Sequence, residues 1–251
     1  MPSMIHMQDR LTALNKAALS GAWAPADAVD WRMTPRRPDW LLPGDFAALT
    51  GQLLRGETLA ADICHRLQDL VKGALRESFR IQEEEERRHI DLLNRYIEKL
   101  NCAAQPSRMT EVFSKTLGWQ GDAAALVLIN NVVLEAEALT LYRAIETALG
   151  CPLFRGIAMR ISKDEARHVR LGQMILDTIL ENMPLDERIG IFVWIRDQWR
   201  KTALAALDEY SAALRAVCGI EDRAFLQARW ATHQASFSRC GFLPASIMAG
   251  L

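Results

Sequence analysis

Residues 86–89 read Glu-Arg-Arg-His and residues 165–168 read Glu-Ala-Arg-His, so one Glu-x-x-His unit occurs twice, 79 residues apart. On an α-helix, residues three apart share a face, and each unit therefore points a carboxylate and an imidazole the same way. Around the first unit, Phe79, Ile90, Leu93, Ile97 and Leu100 form the apolar face. Glu86 lies seven residues after Phe79 and His89 four before Leu93, which places both on the buried stripe. Ile161, Ile175 and Ile179 draw a matching stripe through Glu165 and His168. Charged groups set into a core need partners, and a metal ion is one such partner.

Each unit is preceded by a helix with its own inward acid. The first runs from about Phe46 or Leu53 to Lys72 and is closed by Gly73; its face of Leu54, Ala61, Cys64, Leu67 and Val71 includes Glu57. The second helix spans about 74–100. A connection over 102–121, holding Pro106, Gly118, Gly121 and a short helical piece, is long enough to cross the length of a bundle. The third helix covers about 122–149, ended by Gly150 and Pro152, and the fourth about 153–181. Glu57 lies 16 residues before Gly73 and Glu86 13 after it, while Glu135 and Glu165 each lie 15 from Gly150. Within each antiparallel pair the single Glu and the Glu-x-x-His unit therefore stand at the same height. Two inward Glu and two Glu-x-x-His units are the ligand set of a carboxylate-bridged di-iron bundle. The predicted fold is all-α: a ferritin-like four-helix bundle over 46–182 with one long crossover. An N-terminal helix and a Trp- and Pro-rich arm occupy 1–45, and two further helices, about 186–218 and 221–238, fill 183–251. Trp23, Trp31 and Trp40 are expected to anchor the arm on the bundle. The broad stripe of Ile191, Ile195, Trp199, Leu207, Tyr210 and Leu214 predicts packing on the bundle or on a second copy of the chain, as in a homodimer.

The six residues Glu57, Glu86, His89, Glu135, Glu165 and His168 suit two ions of Fe or Mn, hard enough for oxygen and borderline enough for nitrogen. Four carboxylates would balance two divalent ions, with Glu86 and Glu165 as bridges and each His terminating one ion. The residue before each unit's Glu is acidic, Glu85 and Asp164. A metal-bound His usually donates its other N–H to a carboxylate, which predicts Asp164 on His89 and Glu85 on His168. Arg88 and Arg167, each just before its His, are expected to close the charge network. Glu137 competes with Glu135; the longer spacing to Glu165 and the face shared with Asn131 and Tyr142 favour Glu135. Glu83, Glu84, Asp62 and His65 are assigned to the surface. Tyr142 is read as a buried structural residue, and Gly172 either leaves room for a substrate or permits close helix packing.

Composition narrows the function. The 251 residues are 50% hydrophobic and 24% charged with a net charge of −1, which offers nucleic acid no basic surface. Five scattered cysteines and an N-terminus without an apolar signal core predict reduced thiols and a cytoplasmic location. The most apolar run, 123–134, is interrupted by Asn130 and Asn131, is too short to span a bilayer and reads as a buried helix, so no membrane partner is expected.

The segments EEERRHIDLLNRY and SKDEARHVR resemble the ferritin-like di-iron carboxylate superfamily. Within it, the first is similar to the soluble acyl-carrier-protein desaturases, in which Glu-Glu-x-Arg-His precedes Asp-Leu-Leu-Asn. The second resembles their Asp-Glu-x-Arg-His, and GETLA around Glu57 their first ligand region. The likeness covers about residues 50–180. It implies a non-haem di-iron oxidase or oxygenase that activates O2 at two Fe ions, fed by an external donor such as a ferredoxin. The expected substrate is a small metabolite or a carrier-bound acyl chain. The alternative is a ferritin-like ferroxidase or iron-handling protein with no organic substrate; the extra residues on both sides of the bundle favour the enzyme.

Overall fold

The computed structural model describes residues 4–101, 108–218 and 223–251. Every regular element among them is helical. Helix α1 is Met4–Ser20, α2 Pro43–Leu70, α3 Gly73–Lys99, α4 Arg108–Ser114 and α5 Ala123–Leu149. Helices α6 (Pro152–Ile179), α7 (Leu185–Glu209), α8 (Ala212–Cys218), α9 (Arg223–Arg239) and α10 (Ala245–Met248) follow.

Local chemistry sets the ends of the long helices. Pro43 and Pro152 open α2 and α6, where a missing N–H costs nothing and the fixed φ is already helical. Gly150 closes α5 with φ 55°, and its N–H reaches Glu146 O at 3.1 Å. Helices α2 and α3 pack as one hairpin and α5 and α6 as another, with α3 and α6 also in contact. Helix α1 lies on α3 and α6, and α4 on α7. This is the expected bundle. Residues 102–107 of the crossover, including Cys102 and Pro106, lie outside the described residues, as does Glu221 at the expected start of the last helix.

The core divides into two apolar clusters, and all four bundle helices pass from one to the other at an acidic position. Helix α2 crosses at Glu57, between Leu53 and Ile63, and α3 at Glu86, between Phe79 and Leu92. Helix α5 crosses at Glu135, between Val133 and Tyr142, and α6 at Glu165, between Ile161 and Leu171. A polar layer thus lies across the middle of the bundle, clamped from both sides. Each buried Leu, Ile or Phe on either side contributes about 1.5–3 kcal/mol, and together these offset the cost of burying the layer.

Three features depart from the sequence reading. Helix α5 is not regular: residues Leu128–Leu134 form a π-helical turn, in which the Glu135 N–H reaches back five residues to Asn130 O. The helix expected over 186–218 is two, α7 and α8, because Tyr210 is extended (ψ 133°) and buries its ring. The Tyr210 hydroxyl donates to Gln52, and the Leu214 N–H is capped by Ser211 Oγ at 3.2 Å. The arm is docked as expected through Trp23, Ala28, Val29 and Leu41, but Trp40 stands 54% exposed. One helix among the described residues, Ala123–Leu149, is long and apolar enough to cross a membrane. Most of its apolar window is buried inside the bundle, as in a core helix.

Candidate di-metal centre

The six predicted residues meet in the polar layer, and all are buried: Glu86, His89 and Glu165 completely, His168, Glu135 and Glu57 within 5%. Their donor atoms form two overlapping sets, each with all atoms within 4.8 Å of one another. One holds Glu57, Glu86, His89 and Glu165; the other holds Glu86, Glu135, Glu165 and His168. Glu86 and Glu165 belong to both.

Both imidazoles aim Nδ1 into the carboxylates. His89 Nδ1 lies 3.1 Å from Glu57, 3.2 Å from Glu86 and 3.3 Å from Glu165. His168 Nδ1 lies 2.8 Å from Glu165, 3.1 Å from Glu86 and 3.8 Å from Glu135. The opposite nitrogens make the expected crosswise contacts. His89 Nε2 is 3.2 Å from Asp164 and His168 Nε2 is 2.9 Å from Glu85. With one proton held on Nε2 by those carboxylates, an imidazole that gives up its other proton turns an Nδ1 lone pair to the cluster. Arg167 bonds both Glu85 and Asp164, the latter at 2.9 Å, and so ties the two crosswise acids together. Arg88 pairs with Glu85 at 3.5 Å and lies over the Trp23 ring at 5.8 Å.

Burial and proximity sort the protons of the metal-free cluster. Burial pushes the Glu57 carboxyl up, the neighbouring Glu165 adds to it, and its pKa reaches about 8. Burial, then Glu165 and Glu86, hold Glu135 well above the carboxylate range. For His89, burial disfavours the cation, but Asp164, Glu165, Glu57 and Glu86 outweigh it and raise the pKa well above the ordinary value. His168 is raised in the same way by Glu86, Glu165 and Glu85 against the effect of burial. Glu86 and Glu165 face the opposite balance: burial raises them, yet the two imidazoliums pull both below the usual range. The cluster is therefore neutral without metal, with two imidazoliums, two carboxylates and two carboxylic acids. Replacing those four protons by two divalent ions keeps it neutral. One acceptor, Glu165 Oε1, is buried with the 3.3 Å approach of His89 Nδ1 but no well-formed hydrogen bond. The donor set fits a pair of cations.

Glu137 takes a different partner set from Glu135. It bonds Arg229 and lies 2.6 Å from His233 Nε2, joining α5 to α9 and away from the polar layer. Asp62 and His65 are exposed as expected, whereas Glu83 is buried against Gln68 at 2.6 Å and His65 at 3.3 Å rather than solvated. Gly172 serves close packing: a Cβ there would stand 2.4 Å from the Asn131 Cβ.

Five residues with roles at the centre were not assigned to it. The Tyr142 hydroxyl donates to Glu57, so this tyrosine is more than a structural core residue. Trp23 donates to Asp164 at 3.1 Å and stacks on His89, ring centroids 5.9 Å apart. Gln82 donates to Glu135 at 2.8 Å and Asn130 to the same oxygen at 3.2 Å. Asn131 donates to Gln82 at 2.8 Å and to the His168 carbonyl at 3.1 Å. The Asn pair inside an otherwise apolar run was the available signal; Trp23 is 141 residues from its acceptor and carried none.

A cavity of about 180 Å³ opens between α2 and α5, and Glu57 and Glu135, the two unshared acids, are part of its wall. Helices α4, α7, α8 and α9 complete its walls.

No protein-family model matches the chain, and no curated protein does. Among solved structures, a point variant of an R2-like ligand-binding oxidase with an aerobically reconstituted Mn/Fe cofactor aligns over 94% of both chains. The TM-score is 0.57 and the identity 15%. The two chains share a fold. The alignment takes in the arm and the C-terminal helices as well as the four-helix bundle, since it leaves only a small part of either chain outside.

Proposed function

We propose that this chain is an O2-activating di-metal oxidase with Glu57, Glu86, His89, Glu135, Glu165 and His168 as its ligands. The observation that carries the reading is the pair of overlapping donor sets sharing Glu86 and Glu165. The R2-like oxidase of the same fold carries Mn/Fe, which supports two Fe ions or Mn with Fe here. Bound there, the pair would supply the electrons and open coordination positions that O2 reduction needs.

The chain's own residues hold that pair and keep it dry. His89 and His168 offer Nδ1 while Asp164 and Glu85 retain the Nε2 protons. Tyr142 holds Glu57, and Gln82 with Asn130 holds Glu135. The cavity at Glu57 and Glu135 supports an organic substrate over an iron-handling role, since storage of iron needs no apolar chamber. Substrate oxidation supplies two electrons per O2, so full reduction to water requires two more, delivered one at a time by an external donor of the ferredoxin kind. The motifs shared with acyl-carrier-protein desaturases support C–H oxidation as the reaction class.

The test is anaerobic Fe(II) titration of metal-free protein, then O2 exposure with stopped-flow absorbance and native mass measurement. Two irons per chain and a transient absorption are expected from a small assembly, and His168→Ala should lose the absorption and the full two-iron loading. A many-membered shell mineralising iron would favour the ferroxidase; no stoichiometric binding of Fe or Mn would overturn the di-metal reading.

A further inference from the structure

The cavity beside the metal centre has a composition and size that restrict what it admits. Ala60, Phe113, Ala138, Leu141, Ala203 and Leu226 supply apolar wall. Its cation is already spent within the protein: Arg229 bonds Glu137 and lies 3.3 Å from Thr140 Oγ1. Glu137 is in turn paired with Arg229 and hydrogen-bonded to His233 at 2.6 Å, so both charges are already engaged within the protein. The Gln52 amide is likewise engaged, accepting from Tyr210 and facing Met109 Sδ at 3.5 Å. Apart from Glu57 and Glu135, the chamber presents few polar groups, mainly hydroxyls such as Thr202.

The volume sets the size. A sealed apolar cavity of about 150 Å³ accommodates benzene, whereas pockets for drug-sized ligands run from roughly 300 to 1,000 Å³. At about 180 Å³, this one falls just above the first value and below the second range.

We propose that the cavity between α2 and α5 binds a compact, uncharged apolar molecule, a single six-membered ring with a short substituent, and excludes long acyl chains. Which end of that molecule reacts rests on the oxidase reading; the occupant's size and neutrality rest on the walls alone. Ala203, half-buried on α7, and Leu141 on α5 control the space. A larger side chain at 203 fills the chamber, and a smaller one at 141 extends it.

The test uses the full chain, metal-free and metal-loaded, with ethylbenzene, naphthalene and palmitate as probes in calorimetry and ligand-detected NMR. Saturable one-to-one ethylbenzene binding is expected, weakened tenfold or more in Ala203→Phe, with no saturable palmitate binding. Leu141→Ala should bind naphthalene at least tenfold more tightly than the parent does. Palmitate binding more tightly than ethylbenzene, or ethylbenzene affinity unchanged in a folded Ala203→Phe protein, would overturn the proposal. If Ala203→Phe does not fold, the parent's choice between ethylbenzene and palmitate and the Leu141→Ala response still decide. Metal stoichiometry measured on the same samples separates the two readings. Ethylbenzene binding without metal binding overturns the oxidase alone, and two metals without ethylbenzene binding overturns this proposal alone.

Discussion

Around His89 the supporting side chains are aromatic: Trp23 stacks on the ring and donates to Asp164, and Tyr142 donates to Glu57. Around His168 they are carboxamides: Gln82 and Asn130 donate to Glu135, and Asn131 to the His168 carbonyl. The ligands of the two halves are the same, yet their supports come from different places. The first half needs the N-terminal arm in position, because Trp23 lies outside the four bundle helices. The second half is built inside the bundle, from α3 and the wide turn of α5, with Gly172 letting α6 close on Asn131. Duplicated ligands therefore need not make equivalent metal positions, since the neighbouring hydrogen bonds tune each ion separately.

The comparison breaks most completely at the shared acids. Glu86→Ala or Glu165→Ala removes a donor from both sets and should abolish stoichiometric loading, whereas Glu57→Ala or Glu135→Ala should leave one tight ion. Elemental analysis after gel filtration distinguishes these; equal losses in all four variants would show that the halves cannot load independently.

Loading should also depend steeply on pH. His89, His168, Glu57 and Glu135 all have raised pKa values in the metal-free protein. Their protons must leave as metal enters, so binding weakens as pH falls below about 8, where Glu57 gains its proton. At pH 7 about four protons, two imidazolium and two carboxylic, should be released per pair of ions, so affinity should rise about a hundredfold per ion for each pH unit. Calorimetry in buffers of different ionisation enthalpy counts them. Release of fewer than two would contradict this proton assignment.

The crosswise acids sharpen the contrast. Asp164→Asn should weaken the ion next to His89, and Glu85→Gln the ion next to His168, each by about 10–100-fold. Stepwise titration of the two variants should therefore lose affinity at different steps. Glu85 also receives Arg88 and Arg167, so its variant should lose thermal stability as well.

Gly172→Ala is the smallest change and acts on one side only. Its Cβ must push Asn131 away, which costs about 1–3 kcal/mol in a packed interior. Chemical denaturation should detect that cost, and the ion next to His168 should loosen while its neighbour keeps its affinity. An unaffected second ion would show that the Asn131 contact does not position His168.

Much of this centre is legible in the sequence, because a Glu-x-x-His unit on an apolar stripe has few ways to be satisfied. Similar distances from Gly73 and equal ones from Gly150 put the four acids near one level, and the acids preceding each unit foretold the crosswise bonds. The supports were harder to see. Helical periodicity does not distinguish a five-residue from a four-residue hydrogen bond, so the wide turn at 128–134 stayed hidden behind an ordinary helix pattern. Trp23, Tyr142 and Gln82 depend on contacts between segments far apart in sequence, and only packing decides them. Tyr210 illustrates the same limit: a buried hydroxyl on Gln52 overrides a helical pattern that runs straight through it.

The π-helical turn of α5 works as a phase shifter. Successive residues of an α-helix are about 100° apart, so one extra residue in a turn rotates everything beyond it by that amount relative to everything before. Within the turn, Asn130 and Asn131 are directed towards Glu135, Gln82 and α6; beyond it, Glu135 and Tyr142 are directed towards the shared acids and Glu57. Deleting a single residue between 128 and 134 would restore regular winding, leave helix length nearly unchanged and bring the two faces out of register. The amide-rich half of the centre would then point at one neighbour and its carboxylate at another.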